Sequence, residues 1–224
     1  MHCKITDSNT AILPDPHTRA MPTDHPSDAE QLRAEIAAAA ARMIAEDGAD
    51  YSTAKRKAIR QLLGQRRVRG DVLPDNAQIE DEVRAYNELF LSDSQPARLQ
   101  SLRQLALEIM TDLQMFSPYL TGAVLNGTAG EHSDIHLQLF TDSPKDVEIH
   151  LLNRHVDFEV SEVPHFSGRA DPVERLSFLH RREGVHLVIH DVDDLRAGRR
   201  RPDGRNIERA DLNAVRLLVE QGRQ

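Results

Sequence analysis

The chemistry-bearing stretch of this sequence runs from Gly122 to Leu137 and reads Gly-Ala-Val-Leu-Asn-Gly-Thr-Ala-Gly-Glu-His-Ser-Asp-Ile-His-Leu. It predicts a glycine turn after one strand, a second glycine turn at Gly127, and Ser133-Asp134 at the start of the next strand. Glycines let backbone N–H groups approach a ligand closely and form a concavity that favours anions. Asp134 and His136 lie on one face of the predicted strand, because alternate residues do. Two polar side chains beside such a cradle can hold a divalent cation over a triphosphate. Mg²⁺ in particular takes one or two carboxylates and leaves its other positions to phosphate oxygens and water. Plainer roles stand beside these. Asp134 can cap a turn, and Asp157 and Glu159 can line the solvent side of an edge strand. His132 can sit at the surface. His186 and His190, which share a strand face, read as two exposed strand histidines.

The same stretch resembles the signature of the DNA polymerase beta-like nucleotidyltransferases, especially the minimal ones. In that family the pattern is G-S, then G-T-A, then S-D-I-D-L. Gly122 falls on the first glycine, Gly127-Thr128-Ala129 on the second element and Ser133-Asp134-Ile135 on the third, with no gap. The resemblance covers roughly residues 117–195. It implies Mg²⁺ or Mn²⁺ as cofactor, a nucleoside triphosphate as substrate, and RNA, a protein or a small molecule as the hydroxyl acceptor. It implies a phosphate cradle at Gly122, Ala123, Gly127, Thr128 and Ser133, with Asp134 as a metal-binding catalytic acid. Arg-His-Val-Asp-Phe, ending at Phe158, resembles the family's third acidic strand, so Asp157 takes the third role with Glu159 as its rival. Two positions depart from the pattern. Ala123 stands where the family has Ser, and His136 stands at the second acid, among the metal ligands. An imidazole there removes a charge from a site made for hard cations and favours softer ions. Losing one of three carboxylates should weaken metal binding by a few kcal/mol. The resemblance therefore leaves two readings, an enzyme or an inactive nucleotide-binding or protein-interaction module on the same fold.

The elements that must position these residues are legible in outline. Ser27 and Glu30 form a capping box before a run of strong helix formers that ends at Gly48. Further helices are predicted over 52–63, 76–91 and 96–116. In the last of these, Leu99, Leu102, Leu105, Ile109, Leu113 and Phe116 recur in steps of three and four. The character then changes. Ile135, Leu137 and Leu139 alternate with polar residues, which means a strand. A short helix follows from Ser143-Pro144, then strands at 156–163, Glu174–His180 and Val185–Val192, the last two joined by an Arg-Arg-Glu-Gly turn. Helices followed by strands imply an α+β fold, a small mixed sheet packed with helices and preceded by a helical N-terminal region. The expected division is a disordered leader at 1–26, a helical region at 27–116, the nucleotidyltransferase-like core at 117–195, and a basic loop with a final helix at 196–224.

Composition narrows the function classes. The 224 residues carry 36 acidic and 28 basic side chains, a net charge of -8, so a globally basic nucleic-acid coat is excluded. Aromatic residues are 4% and Trp is absent, which leaves little for stacking single-stranded bases. The one cysteine, Cys3, excludes a disulfide framework and a cysteine-rich zinc site. No apolar run approaches the roughly 20 residues of a membrane span, and no signal-like h-region is seen, so the expectation is a cytoplasmic protein without a membrane partner. Two basic clusters, Lys55, Arg56, Lys57, Arg60, Arg66, Arg67 and Arg69 and then Arg196, Arg199, Arg200, Arg201 and Arg205, can bind phosphate backbone. They read first as solvated faces. Nothing in the sequence sets an oligomeric state.

Overall fold

The structure is a computed structural model and describes residues 27–49, 51–64, 72–196 and 208–222. The expected leader at 1–26 and the arginines at 66, 67, 69, 199, 200, 201 and 205 lie outside the described residues. Three helices come first: α1 (Asp28–Asp47), α2 (Tyr51–Leu63) and α3 (Asn76–Phe90). The capping box forms as the sequence predicts: Ser27 Oγ accepts from the Glu30 N–H and the Glu30 carboxylate accepts from the Ser27 N–H. Ile36, Ala37, Ala40 and Ala41 of α1 pack against Ala54 and Ala58 of α2 and Ile79 and Val83 of α3. Alanines on the facing stripe let the three helices approach closely. Lys55 of α2 donates to the carbonyl of Pro74, so part of the first basic cluster is tied down.

The fourth helix, α4 (Gln95–Asp112), belongs to a different core. Its Leu102, Leu105, Ala106, Ile109 and Met110 pack on the sheet. The helix ends earlier than its periodicity predicts, and a 3₁₀ turn (Gln114–Phe116) carries Phe116 into the same core. Then come β1 (Tyr119–Thr121), a single turn of helix α5 (Ala123–Asn126), β2 (Ile135–Phe140), α6 (Pro144–Asn153), β3 (Glu159–Val163), β4 (Val173–His180), β5 (Glu183–His190), α7 (Val192–Arg196) and α8 (Leu212–Gln221).

The five strands form one mixed sheet in the order β1-β2-β5-β4-β3. Only β2 and β5 are parallel; the other pairs are antiparallel. One face carries Ile135, Leu137, Leu139, Leu176, Phe178, Val185, Leu187 and Ile189, buried beneath α4, α6 and α8. Register fixes what the other face carries. Thr121 stands opposite His136, His136 opposite His186, His186 opposite Ser177, and Ser177 opposite Glu159. A row of polar side chains thus crosses all five strands on the face away from the helical core. The architecture is α+β, as the sequence predicts. Among the described residues, no helix is long and apolar enough to cross a membrane.

Candidate functional site

The polar row opens into a cavity of about 860 Å³. Asp134, Asp157, Glu159, Ser177, His186 and Arg182 line it, along with His155 and Gly184. Asp134 stands just before β2, and Asp157 lies ahead of β3, which begins at Glu159 and not at 156 as the sequence predicts. The sheet brings both, with Glu159, to one concavity. Asp134 projects from the face that bears His136, as alternation requires.

Asp134 is anchored by a residue from the neighbouring strand. His186 Nε2 lies 3.1 Å from Asp134 Oδ2, and Ser177 Oγ lies 2.9 Å from His186 Nδ1. A carboxylate only accepts, so Nε2 carries the ring proton and the Ser177 hydroxyl donates to Nδ1. This chain of partners can pass a proton from a hydroxyl through an imidazole while a carboxylate steadies the resulting cation. Gly184, beside Asp134 in the parallel register, makes room for the carboxylate: a Cβ there would lie 2.5 Å from Asp134 Cγ. His136 stacks on His186 with ring centroids 4.8 Å apart. Desolvation, then the neighbouring His186, pushes its pKa down to about 4. Its ring remains open to solvent on one side, and the direction of the shift leaves it a neutral imidazole at neutral pH.

The glycine loop is built more tightly than an open cradle. Gly122 takes φ +73° and ψ -156°, a conformation that side chains rarely adopt, and it lies against the His136 ring. The carbonyls of residues 127–131 are all held by side chains from α3 and α4. Gln95 donates to those of Gly127 and Ala129, Asn87 to that of Thr128, and Arg98 to those of Gly130 and Glu131. The loop's N–H groups are used as well. Those of Gly127 and Ala129 bond the Ala123 carbonyl, that of Thr128 the Asn126 side chain, and that of Gly130 the Ser133 hydroxyl. Thr128 is buried and its hydroxyl also bonds Asn126. Of the five expected cradle residues, Gly127, Thr128 and Ser133 are thus engaged in holding the loop's shape. Gly122 and Ala123 sit at its start, beside His136. His132 packs against the C-cap of α1, where a Cβ at Gly48 would overlap it.

Two basic residues of the cavity sit in unusual backbone. Arg182 (φ +72°) and His155 (φ +56°) are left-handed without being glycine. Arg181 (φ +51°) and Arg182 make the two-residue turn between β4 and β5, where Asn-Gly is the favoured pair. Strain of this kind persists where surroundings over-determine it, often at functional sites. Arg181 pairs with Glu108 at 2.8 Å; Arg182 lines the cavity. The sequence signals the turn, but not that its second arginine joins the site.

The donor set around Asp134 can be tested against a divalent ion. Among the described residues, the ligand atoms of Asp134, His136 and His186 do not converge as those of a preformed three-ligand site would. Positions 136 and 186, which face each other on the two parallel strands, are imidazoles. A resident pair of hard cations does not fit this set. Nor do the carboxylate oxygens of Asp134, Asp157 and Glu159 converge as a preformed three-ligand site would, although all three line the one cavity; an ion held there would take most of its ligands from phosphate and water.

The reading of His186 and His190 as a pair of exposed strand histidines needs correction. His186 is half-buried in the network just described, and His190 is 2% exposed. The segment before β4 and the unforeseen helix α7 cover that end of the polar face. His165, also buried, enters there; nothing in its sequence neighbourhood marks it.

No family model matches this sequence, and no curated protein matches it. A solved chain from the "structure of GLD-2/RNP-8 complex" aligns with 18% identity over 46% of this chain and 43% of that one, with a TM-score of 0.27. This chain therefore spans less than half the length of the solved chain it matches. An overlap of that size establishes neither family nor activity.

Proposed function

We propose that the protein binds a nucleoside triphosphate in the cavity beside Asp134 and transfers its nucleotidyl group to a hydroxyl acceptor on RNA, a protein or a small molecule. One observation carries the reading: the carboxylates of Asp134, Asp157 and Glu159 share a single cavity with Arg182, His155 and His186. The ungapped Gly122, Gly127-Thr128-Ala129 and Ser133-Asp134-Ile135 spacing supports it from the sequence. A triphosphate needs cations about its oxygens, and Arg182 supplies one, while the His155 ring adds a hydrogen-bonding group to the same cavity. Mg²⁺ or Mn²⁺, arriving with the nucleotide, would sit with Asp134, Asp157 and Glu159 and would neutralise phosphate charge. Asp134 Oδ2 is committed to His186, which leaves Oδ1 for that role.

The chain's own groups move the proton. The acceptor hydroxyl yields its proton to Ser177 Oγ as Ser177 passes its own to His186 Nδ1. Asp134 then stabilises the imidazolium through Nε2. The acceptor oxygen forms a bond to the α-phosphorus, the bond from that phosphorus to the bridging oxygen breaks, and pyrophosphate leaves.

A second reading, nucleotide binding without turnover, is favoured by the His136–His186 stack, which puts two imidazoles between strands that could have carried acids. One experiment separates them. The protein is incubated with each α-labelled triphosphate, Mg²⁺ or Mn²⁺, and RNA, protein or cell extract, while calorimetry follows binding. Transferred label that is lost in Asp134→Ala supports transfer. Binding with no label transferred supports the second reading. Absence of both, or covalent capture of Ser177 by a fluorophosphonate, overturns the proposal.

A further inference from the structure

We propose that His165, His190 and Asp194 form a binding site for one borderline-soft divalent ion, Zn²⁺ by preference, at the end of the sheet away from the Asp134 cavity. His190 lies four residues beyond His186 on the same face of β5, about 13 Å along the strand. The two places are separate, and this site does not depend on the transfer reading.

Three observations carry it. First, one ligand atom from each of the three side chains falls within 4.8 Å of the others, the only such group among the described residues. Second, all three are buried, with relative exposures of 5%, 2% and 2% for His165, His190 and Asp194. Third, both ring nitrogens of His190 are buried and make no hydrogen bond. A buried imidazole without a partner is rare unless something outside the protein chain meets it. Around it are the rings of Phe140, Phe166 and His165, which fix its orientation without offering a hydrogen bond.

The donor chemistry selects the ion. Two imidazoles and one carboxylate suit Zn²⁺, whereas Mg²⁺ asks for oxygen ligands and keeps its waters. His165 Nε2 is already 3.0 Å from Asp194 Oδ2, and Arg169 holds the other carboxylate oxygen at 2.9 Å. Ser167 Oγ lies 2.7 Å from His165 Nδ1. The Ser167 backbone N–H also donates to Nδ1, at 3.1 Å, so in the empty site Nδ1 accepts and Nε2 carries the ring proton toward Asp194. An ion at Nε2 would displace that proton to Nδ1, where the Ser167 hydroxyl can accept it once the Ser167 N–H contact gives way. Three protein ligands leave a fourth position for water. The ion would tie the segment that holds His165 to α7 and the end of β5.

The test uses the full chain, stripped with a chelator and titrated with Zn²⁺ and Co²⁺. The expected result is one equivalent of Zn²⁺ per chain, a raised melting temperature, and the visible bands of four-coordinate Co²⁺. His190→Phe, which places another ring among Phe140 and Phe166, should abolish the bands and lower the stoichiometry from one to zero. Asp134→Ala should change neither. No binding to the stripped protein, or binding lost in Asp134→Ala and kept in His190→Phe, overturns the proposal. Should His190→Phe fail to fold, hydrogen exchange of the unsubstituted protein decides. Zn²⁺ must slow exchange in residues 165–169 and 190–194; unchanged exchange there counts against the site.

Discussion

The carboxylate of Asp134 rests on the bare backbone of Gly184, on the strand parallel to its own. A methyl group at 184 would lie 2.5 Å from Asp134 Cγ and 3.0 Å from its Oδ2, the oxygen that meets His186. Gly184→Ala must therefore push Asp134 off His186. Overpacking of this kind costs about 1–3 kcal/mol, which most domains survive. The expected result is a folded protein with a slightly lower melting temperature and at least about tenfold weaker triphosphate binding, roughly 1.4 kcal/mol. Calorimetry with Mn²⁺ and a triphosphate, beside a thermal melt, reads both. Unaltered affinity would remove Asp134 from the binding site.

Arg182 offers the opposite trade. Its φ of +72° suits glycine, so Arg182→Gly relieves backbone strain while deleting a cation from the cavity. Left-handed backbone at a non-glycine residue costs of order 1 kcal/mol. Urea unfolding should show Arg182→Gly to be more stable by up to about that amount, and calorimetry should show it binding triphosphate about tenfold more weakly. Arg181→Gly relieves comparable strain but removes only the exposed pair with Glu108, so its affinity should hold. Equal losses of affinity in the two variants would mean that the turn, not the Arg182 charge, matters.

The contrast between these arginines shows where sequence reasoning stops. The turn was legible, and so were the capping box at Ser27, the α4 stripe and the alternation of β2, because each depends on residues a few positions apart. The pairing of β2 with β5 depends on chain ends 50 residues apart in sequence, between Ile135 and Val185. That pairing alone puts His186 against His136 and Asp134. Period two told that His186 and His190 share a face, but not that α7 and His165 would bury one and leave the other at a cavity. The Gly122–Asp134 spacing marked the loop correctly in sequence. It could not reveal that side chains of α3 and α4 hold the loop's carbonyls, because Asn87, for one, lies 41 residues before the Thr128 carbonyl that it holds.

The buried histidine makes stability depend on pH. His190 has a pKa of about 4 in the fold against 6.5 for a free imidazole. Between those values the unfolded chain binds a proton that the folded chain does not, so stability rises with pH through the window and falls as the solution is acidified from 6.5 towards 4. The slope approaches 1.4 kcal/mol per pH unit for one such group. His136, open on one side, adds less. Denaturant melts of metal-stripped protein at pH 7, 6, 5 and 4.5 should show the decline, and His190→Phe should flatten it. An identical slope in that variant would place the acid sensitivity elsewhere.

Arg98 joins α4 to both parts of the site. Its guanidinium meets the two Glu183 oxygens at 2.6 Å each and donates to the carbonyls of Gly130 and Glu131. Its hydrogen bond with Glu183 raises the arginine pKa and lowers that of the glutamate, so the pair stays charged at neutral pH. Side-chain exposures of 25% and 23% place it between surface and core. Breaking a fully buried pair costs about 3–5 kcal/mol and an exposed one under about 1. Arg98→Met should fall between, near 2 kcal/mol in a urea melt. Lysine cannot reproduce a planar fork that serves a carboxylate and two carbonyls at once, so Arg98→Lys should recover less than half of that. The loop should loosen with the pair: amide exchange at residues 127–133 should quicken in both variants while exchange in β4 stays unchanged. Full recovery by lysine, or exchange that quickens evenly across the sheet, would show a plain charge contact rather than a clamp on the loop ahead of Asp134.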